Sequence, residues 1–412
     1  MTIHKSADSL LSTTSKFVDY RGFLNQCIVL LVISTGRIVL ENIQNKGLEM
    51  KFILLKAMFN SRYIESITFL SFFSILIFMI DQLGEKFKMP TKYRWFVQVS
   101  ALSLFIMIPV WHINSLTERN QFVHPFSAVL TLSCVAMFFL KFVSFCLREP
   151  RRSGESMKQL SAYFLYFLAA PTLVFEYEYP RTSKIRFYFV LRRIVELVFL
   201  CTLSMLIAER WIYPIIDTDP IGMWDIQTKP FAVVLKLLKL ALPNHVLWII
   251  FFYLFFHSFM NLTAELLKFG DREFYLDWWN ASCPNEFWRK WNIPVHRFAH
   301  LHVYRPLLNL IGSRYLAGIL VFFMSAVGHE YVASVALRVS GSYMFIGLMS
   351  QPFLDYLMRA CIYSGKNYPI NSRRKYIGNI LLWIAIIFGQ PITAMMYVND
   401  YRLRSRSSVA LL

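Results

Sequence analysis

A histidine and a glutamate stand side by side near the centre of a long apolar segment. The segment, residues 316–337, reads LAGILVFFMSAVGHEYVASVAL and carries His329 and Glu330. Ionisable groups are costly at membrane depth and usually line a pathway or a site. A neutral imidazole can take a proton from a hydroxyl near neutral pH, as a general base does. No second metal ligand stands at a suitable spacing on this segment, and the chain has no GxSxG motif. The pattern therefore fits proton transfer and predicts neither a metal site nor a Ser-His-Asp triad.

A structural role for His329 competes with this chemical one. On a helix, neighbouring residues point about 100° apart, so His329 and Glu330 do not share a face. Near the ring, the His329 face consists mainly of small residues: Phe322, Ser325, Ala326, Val332, Ala333 and Ala336. Small residues let another helix approach closely, with the imidazole as an interhelical hydrogen bonder. They equally leave room for a substrate, and the segment alone does not decide between the two.

A second group of candidate residues lies between residues 270 and 308. Four tryptophans fall within fourteen positions: Trp278, Trp279, Trp288 and Trp291. An aromatic belt at the membrane interface explains part of this pattern. It does not explain the polar insertions, which are Asp277, Asn280, Asn292 and His296. Aromatic rings beside arginines suit a ligand with phosphates and a flat base, such as a coenzyme A thioester.

The rest of the chain must position these residues within a membrane. It has 412 residues, 56% of them hydrophobic, and apolar runs of about twenty residues recur, the length that crosses a bilayer. Backbone groups in lipid must pair internally, so the spans are predicted to be helices and the fold an all-α polytopic membrane protein. The nine predicted spans are 22–40, 66–83, 93–113, 125–147, 187–207, 244–267, 316–337, 343–362 and 376–398.

Charge predicts the orientation of these spans. The formal net charge is +18, and basic residues concentrate in the loops that follow the second, fourth and eighth spans. The positive-inside rule then places the N-terminus in the cytosol, and it explains the basic balance without nucleic acid. Two apolar stretches do not fit simple spans. Residues 160–175 are predicted to be re-entrant or interfacial, and residues 231–242 to form an interfacial amphipathic helix that stops at Pro243.

Several motifs resemble those of a known family. FYLDWWN (274–280), NIPVH (292–296) and HEY (329–331) resemble the signature of the membrane-bound O-acyltransferases. Within that superfamily the chain is similar to the branch of sterol and diacylglycerol O-acyltransferases, from about residue 20 to residue 401. The stretches closest to the diacylglycerol enzymes are 21–42, 170–193, 243–280 and 389–401.

The resemblance implies an endoplasmic reticulum enzyme whose nine helices enclose an intramembrane reaction chamber. One acyltransferase domain, 22–401, would follow a short cytosolic segment, 1–21, and precede a tail, 402–412. Such enzymes usually form homodimers or tetramers. Acyl-CoA enters as co-substrate from the cytosolic side, diacylglycerol arrives through the membrane lipids, and no cofactor is permanently bound.

The resemblance also assigns roles to residues. His329 and Asn292 match the catalytic positions, and His296, Gln351 and Gln390 are placed near the reaction chamber, although an interhelical hydrogen bond explains each of them as well. Glu330 is a further supporting candidate, which would orient His329 through a neighbouring residue or a water molecule. The residues expected to contact acyl-CoA are Tyr275, Trp278, Trp279, Asn280, Trp288, Trp291, Tyr304, Arg305 and Arg314. The implied reaction is direct acyl transfer to diacylglycerol with His329 as general base. Transfer to another lipid alcohol, such as a sterol, a long-chain alcohol or monoacylglycerol, and non-enzymatic lipid transport are the alternatives.

Some residues depart from the family pattern. Gly328 stands where the family usually has a bulky side chain, and Arg289-Lys290 replaces a pair of the Gln-Asn type. Asp355 places a carboxylate in the eighth predicted span.

Overall fold

The structure, a computed structural model, describes residues 6–33 with interruptions, 63–118, 124–148, 156–217, 230–363 and 372–410. In these residues the chain is helical and has no β-strand beyond isolated bridges, which confirms the all-α prediction. The helices α1 to α12 are Tyr63–Lys86, Thr91–Glu118, Pro125–Cys146, Met157–Ala169, Phe187–Ile207, Pro230–Phe252, Pro284–Trp291, Ile293–Ala299, Arg305–Ile311, Arg314–Leu337, Tyr343–Tyr363 and Ser372–Ala410.

Short helical segments extend or join these helices. A π-helical segment, Ala208–Ile212, continues α5 into the short helix Tyr213–Asp217. A second, Tyr253–Phe259, continues α6 into Met260–Leu266. A third, His300–Tyr304, joins α8 to α9, and a 3₁₀ turn, Trp278–Asn280, precedes α7.

Six helical stretches in the described residues are long and apolar enough to cross a membrane: Thr68–Lys86, Thr91–Leu116, Pro125–Cys146, Phe231–Leu266, Arg314–Leu337 and Arg374–Arg404. They match six of the predicted spans, so the chain is a multi-pass membrane protein. Helices α5 and α11 coincide with the predicted spans 187–207 and 343–362 but are not among the six. The predicted span 22–40 lies largely outside the described residues, and the count of nine stays a prediction.

The prediction that a helix stops at Pro243 is wrong. Helix α6 runs through Pro243, and the apolar stretch Phe231–Leu266 is continuous. Ala241 before the proline and Phe252 after it are both buried in the main core. A proline inside a helix removes one hydrogen bond, but neighbouring packed helices allow the helix to continue.

The predicted re-entrant or interfacial segment does not span the membrane. Helix α4 has 13 residues, too few to cross a bilayer, and a capping box of Ser156 and Gln159 fixes its start. Its Leu160 and Phe167 are fully buried, and the extended chain after it buries Phe175. The segment therefore packs into the main core.

The helices that position the site pack around α10. This helix contacts α3 and α11, while α12 packs against α6 and α11. One aromatic core runs through the molecule and includes Phe105, Phe145, Phe252, Trp278 and Trp383. Burying such large rings removes much apolar surface from water at the two ends of the bundle and fills the space between the helices inside the bilayer.

A buried carboxylate links three helices at one end of the bundle. The Asp81 side chain on α1 is fully buried and forms ion pairs with Arg94 on α2 and with Arg148 just after α3. Arg148 also lies 3.3 Å from Glu85. Two guanidinium groups thus depend on one buried acid, and a buried charge that loses its partner is strongly destabilising.

We expect Asp81→Ala to destabilise the folded protein by about 3–5 kcal/mol, because it leaves the buried Arg148 without its main counter-charge. The change is measured as a shift in the melting temperature of the detergent-solubilised protein, with size-exclusion chromatography used to monitor the folded fraction. Glu85→Ala is the matched control and should cost much less, since Glu85 lies at the more exposed edge of the cluster. Equal melting temperatures for wild type and Asp81→Ala would contradict this account.

Candidate active site

His329 lies on α10 with one ring nitrogen held by its own helix. Its Nδ1 is 2.8 Å from the backbone carbonyl oxygen of Ser325. A carbonyl oxygen only accepts hydrogen bonds, so Nδ1 donates and carries the proton in this contact. In the neutral ring, Nε2 then has a free lone pair, and it has no hydrogen-bond partner in the described part of the chain. The geometry presents Nε2 as a proton acceptor.

The surroundings of the ring are open. The imidazole is exposed, and a Cβ placed on Gly328 would meet no atom within 4 Å. The small residues of α10 serve close packing elsewhere: Ala336 is buried against Ala128 and Leu132 of α3. Small residues therefore bring a helix close near the end of α10, while the ring of His329 itself is not wedged between any of the described helices.

Glu330 faces a different set of partners from His329. Its carboxylate accepts hydrogen bonds from the Tyr397 hydroxyl at 2.6 Å, from the Phe345 backbone N–H at 3.0 Å and from the Ser334 hydroxyl. These groups belong to α12, α11 and α10. Glu330 thus fixes the three helices relative to one another and has no hydrogen bond to His329 in the structure.

Asn292 lies in the joint between α7 and α8. Its Oδ1 accepts the Val295 N–H at 3.1 Å and so caps α8. The next proline, Pro294, sits in the first turn of α8, where its missing N–H is not needed. The Nδ2 group of Asn292 has no hydrogen-bond partner among the described residues and remains available as a donor.

An aromatic contact places α7 against the His329 face of α10. The rings of Trp288 and Phe322 meet edge to face, 6.5 Å apart. Phe322 precedes His329 by seven residues, about two helical turns, so the two side chains share one side of α10. The structure therefore brings the helix that ends at Asn292 to the side of α10 that carries His329.

The FYLDWWN segment lies inside the protein, in contrast to the aromatic surface predicted there. Tyr275, Trp278 and Trp279 are at most 1% exposed. The Tyr275 hydroxyl lies 2.7 Å from His257 Nδ1 and 2.8 Å from Ser9 Oγ, so its polar end is also occupied. These three rings line no accessible surface. The burial of these rings could not be predicted from composition, because tryptophan suits a membrane interface and a protein core equally well.

The same segment binds the beginning of the chain. Asn280 accepts the Gly22 N–H through Oδ1 at 2.6 Å and donates from Nδ2 to the Asp19 carbonyl at 2.8 Å. Trp279 stacks on Phe23 with ring centroids 4.4 Å apart. Asn280 thus has both ends of its amide engaged by the N-terminal segment. The sequence signal that could have indicated this contact is Gly22, since the backbone approaches closely there.

The remaining aromatic candidates are half-buried and lie nearer the surface. Trp291 stacks on Trp248 of α6 at 4.3 Å, and Trp288 contacts α10. Tyr304 is half-buried and stacks on His300 at 5.6 Å. Arg305 and Arg314 are exposed and form no ion pair with the described residues.

Cationic groups gather on the short helices between α6 and α10. Burial lowers the pKa of His296 to about 4, and the positive charge of Arg289 acts in the same direction. Burial also lowers the pKa of His300, as do the charges of Arg305 and then Arg289. Both histidines are therefore neutral near pH 7, and the positive charge around them comes from the arginines. Such a surface attracts phosphates.

The two glutamines hydrogen-bond within the helical bundle. Gln351 donates weakly to the Gly347 carbonyl of its own helix, at 3.4 Å. Gln390 on α12 accepts from the Asn244 side chain on α6 at 3.5 Å. For Gln390 the structure favours an interhelical contact. Among the described residues no group of three histidine, cysteine, aspartate or glutamate side chains is arranged to hold a metal ion.

We expect Gly22→Ala to displace the N-terminal segment, because the new Cβ would overlap the Trp279 carbonyl group. Limited trypsin digestion measures the effect, since Arg21 is an exposed cleavage site beside the contact. The variant should be cut after Arg21 faster than wild type. Gly389→Ala is the matched control, since its Cβ would meet nothing within 4 Å, and it should be cut at the wild-type rate. Equal rates for all three proteins would refute the close approach.

Comparison with known proteins agrees with this architecture. The family model of the membrane-bound O-acyltransferases matches residues 63–399. The chain is 34% identical to diacylglycerol O-acyltransferase 1 of Chlorocebus aethiops, over 97% of this chain and 83% of that protein. It is 33% identical to the Homo sapiens protein of that name, over 97% and 84%, and 30% identical to the Arabidopsis thaliana one, over 98% and 78%.

Proposed function

The chain belongs to the membrane-bound O-acyltransferase family and is an acyltransferase, and on that premise we propose that it acylates 1,2-diacylglycerol from acyl-CoA to give triacylglycerol. The observation that carries this proposal is the tautomer of His329. The contact from Nδ1 to the Ser325 carbonyl leaves Nε2 without a hydrogen-bond partner among the described residues, on a side of α10 that those residues leave open. The names of the relatives support the choice of diacylglycerol as acceptor.

The reaction is a direct transfer without an acyl-enzyme. Nε2 of His329 takes the proton of the diacylglycerol hydroxyl while its oxygen attacks the thioester carbonyl carbon. Negative charge then develops on the carbonyl oxygen, and Nδ2 of Asn292 donates a hydrogen bond to it. When the tetrahedral intermediate collapses, the carbon–sulfur bond breaks. The imidazolium returns its proton to the leaving coenzyme A sulfur, which restores the neutral histidine.

Acyl-CoA meets the protein along the cationic surface between α6 and α10. The exposed guanidinium groups of Arg305 and Arg314 suit its phosphates, and Tyr304 with Trp288 and Trp291 supplies aromatic contacts for the rest. The buried FYLDWWN rings support this surface from behind. We place the enzyme in the endoplasmic reticulum membrane, surrounded by membrane lipids, with a cytosolic N-terminus and as a homodimer or tetramer. It binds no permanent cofactor.

The acceptor is tested with microsomes that contain the expressed protein and labelled oleoyl-CoA. Diacylglycerol should give labelled triacylglycerol well above microsomes that lack the protein. Cholesterol, hexadecanol and monoacylglycerol, supplied in parallel at the same concentration, should give little product. If one of those alcohols gives more ester than diacylglycerol does, that alcohol is the acceptor. If the protein moves lipid across the membrane but forms no ester, it is not an enzyme of this reaction.

The general base is tested by His329→Ala in the purified protein. Loss of a positioned base should lower kcat by about 10²–10⁴-fold, while the variant elutes and melts like wild type. His112→Ala, which changes a histidine on α2 outside the site, serves as the matched control and should retain activity. Turnover that survives in His329→Ala would remove the base from the mechanism.

A further inference from the structure

Asp355 is a carboxylate on an otherwise apolar helix. It lies on α11, whose neighbouring residues include the exposed Phe353, Tyr356 and Leu357. Its own side chain is only 16% exposed, so it points towards protein. An ionisable group in such a position is costly and calls for a specific partner.

The partner is the first turn of α7. Asp355 Oδ1 accepts the backbone N–H of Asn285 at 3.0 Å. The N-cap residue of α7, Cys283, makes no side-chain capping hydrogen bond. The free N–H groups at the start of a helix need acceptors and favour negative charge. Asp355 therefore supplies, from another helix, the cap that the local sequence of α7 lacks.

A second contact holds the carboxylate in place. Asp355 Oδ2 accepts Nε–H of Arg359 at 2.7 Å, one turn further along α11. The same guanidinium group also lies 3.6 Å from Cys283 Sγ, next to the start of α7. Two side chains of α11 thus converge on one end of α7.

Helix α7 in turn places two groups that matter for acyl transfer. It carries Trp288, which contacts Phe322 on the His329 face of α10, and Asn292 directly follows its last residue. The distance from Asn285 to Asn292 is about two turns, roughly 10 Å, along a short and rigid element. A shift at its start therefore moves Asn292 relative to His329.

We propose that Asp355 is a positioning residue, which fixes α7 against α11 and thereby sets Asn292 opposite His329. This inference rests on the proposed function for its catalytic consequence. The acceptor oxygen is the essential feature of Asp355, and its pairing with Arg359 is secondary.

The test compares Asp355→Ala with Asp355→Asn in the purified full-length protein. The asparagine keeps an acceptor oxygen for the Asn285 N–H, whereas the alanine has none. Asp355→Ala should lower kcat per folded molecule at least about tenfold, because small displacements of a catalytic group have large effects. Its KM for oleoyl-CoA should change less than kcat, since Arg305 and Arg314, which suit the phosphates, lie on α9 and α10 and not on α7. Asp355→Asn should keep most of the wild-type kcat.

Asp400→Ala is the matched control. Asp400 also contacts α11, by accepting the Tyr343 hydroxyl at 2.6 Å, but it does not touch α7. This variant should keep kcat close to wild type. If Asp400→Ala and Asp355→Ala lose kcat equally, or if Asp355→Asn is as defective as Asp355→Ala, the positioning role is overturned.

Hydrogen–deuterium exchange measures the helix itself, without any acyl transfer. The amides at the start of α7 should exchange faster in Asp355→Ala than in wild type, and at the wild-type rate in Asp355→Asn. Unchanged exchange in Asp355→Ala would reject the inference even if the enzyme acylates diacylglycerol. If exchange is faster in Asp355→Ala but the wild-type protein acylates no alcohol, the contact between Asp355 and α7 is supported and the proposed function is rejected.

Discussion

Inside a bilayer, every polar group needs a partner from the protein, and this constraint explains most of the polar side chains between the helices. Asp81 is paired with two arginines, and Glu330 receives hydrogen bonds from three helices. Asp355 caps α7. His329 differs from these residues, since one ring nitrogen is bonded to the main chain and the other has no hydrogen-bond partner in the described part of the chain. Under the proposed function, the hydroxyl of the lipid substrate is the partner of this nitrogen.

Much of the architecture could be predicted from apolar run length alone. Six predicted spans coincide with apolar helices, because about twenty residues are needed to cross the hydrocarbon layer whatever their tertiary partners. Pro243 misled the prediction, because a local rule about proline ignores the helices that pack around α6. The first predicted span falls mainly outside the described residues, so the topology before α1 stays a prediction.

The sequence predicted site residues whose role depends on their own helix. It did not predict those whose role depends on burial by distant parts of the chain. The position of His329 within an apolar segment was visible in the sequence, and so was its separation from Glu330 on the helix surface. The burial of Trp278 and Trp279 was not visible, because it depends on the packing of α6, α12 and the N-terminal segment around them. The partner of Asp355 was equally hidden, since Asn285 lies 70 residues away in the chain.

The acceptor that orders the imidazole is a main-chain oxygen, and this has a consequence for sequence variation. Replacing the Ser325 side chain leaves its carbonyl in place, so drift at that position does not reassign the ring proton. The tautomer is a property of helical geometry one turn before the histidine. It is lost only when that turn is distorted, for example by a proline introduced between Ser325 and His329 or by a local change of helical pitch.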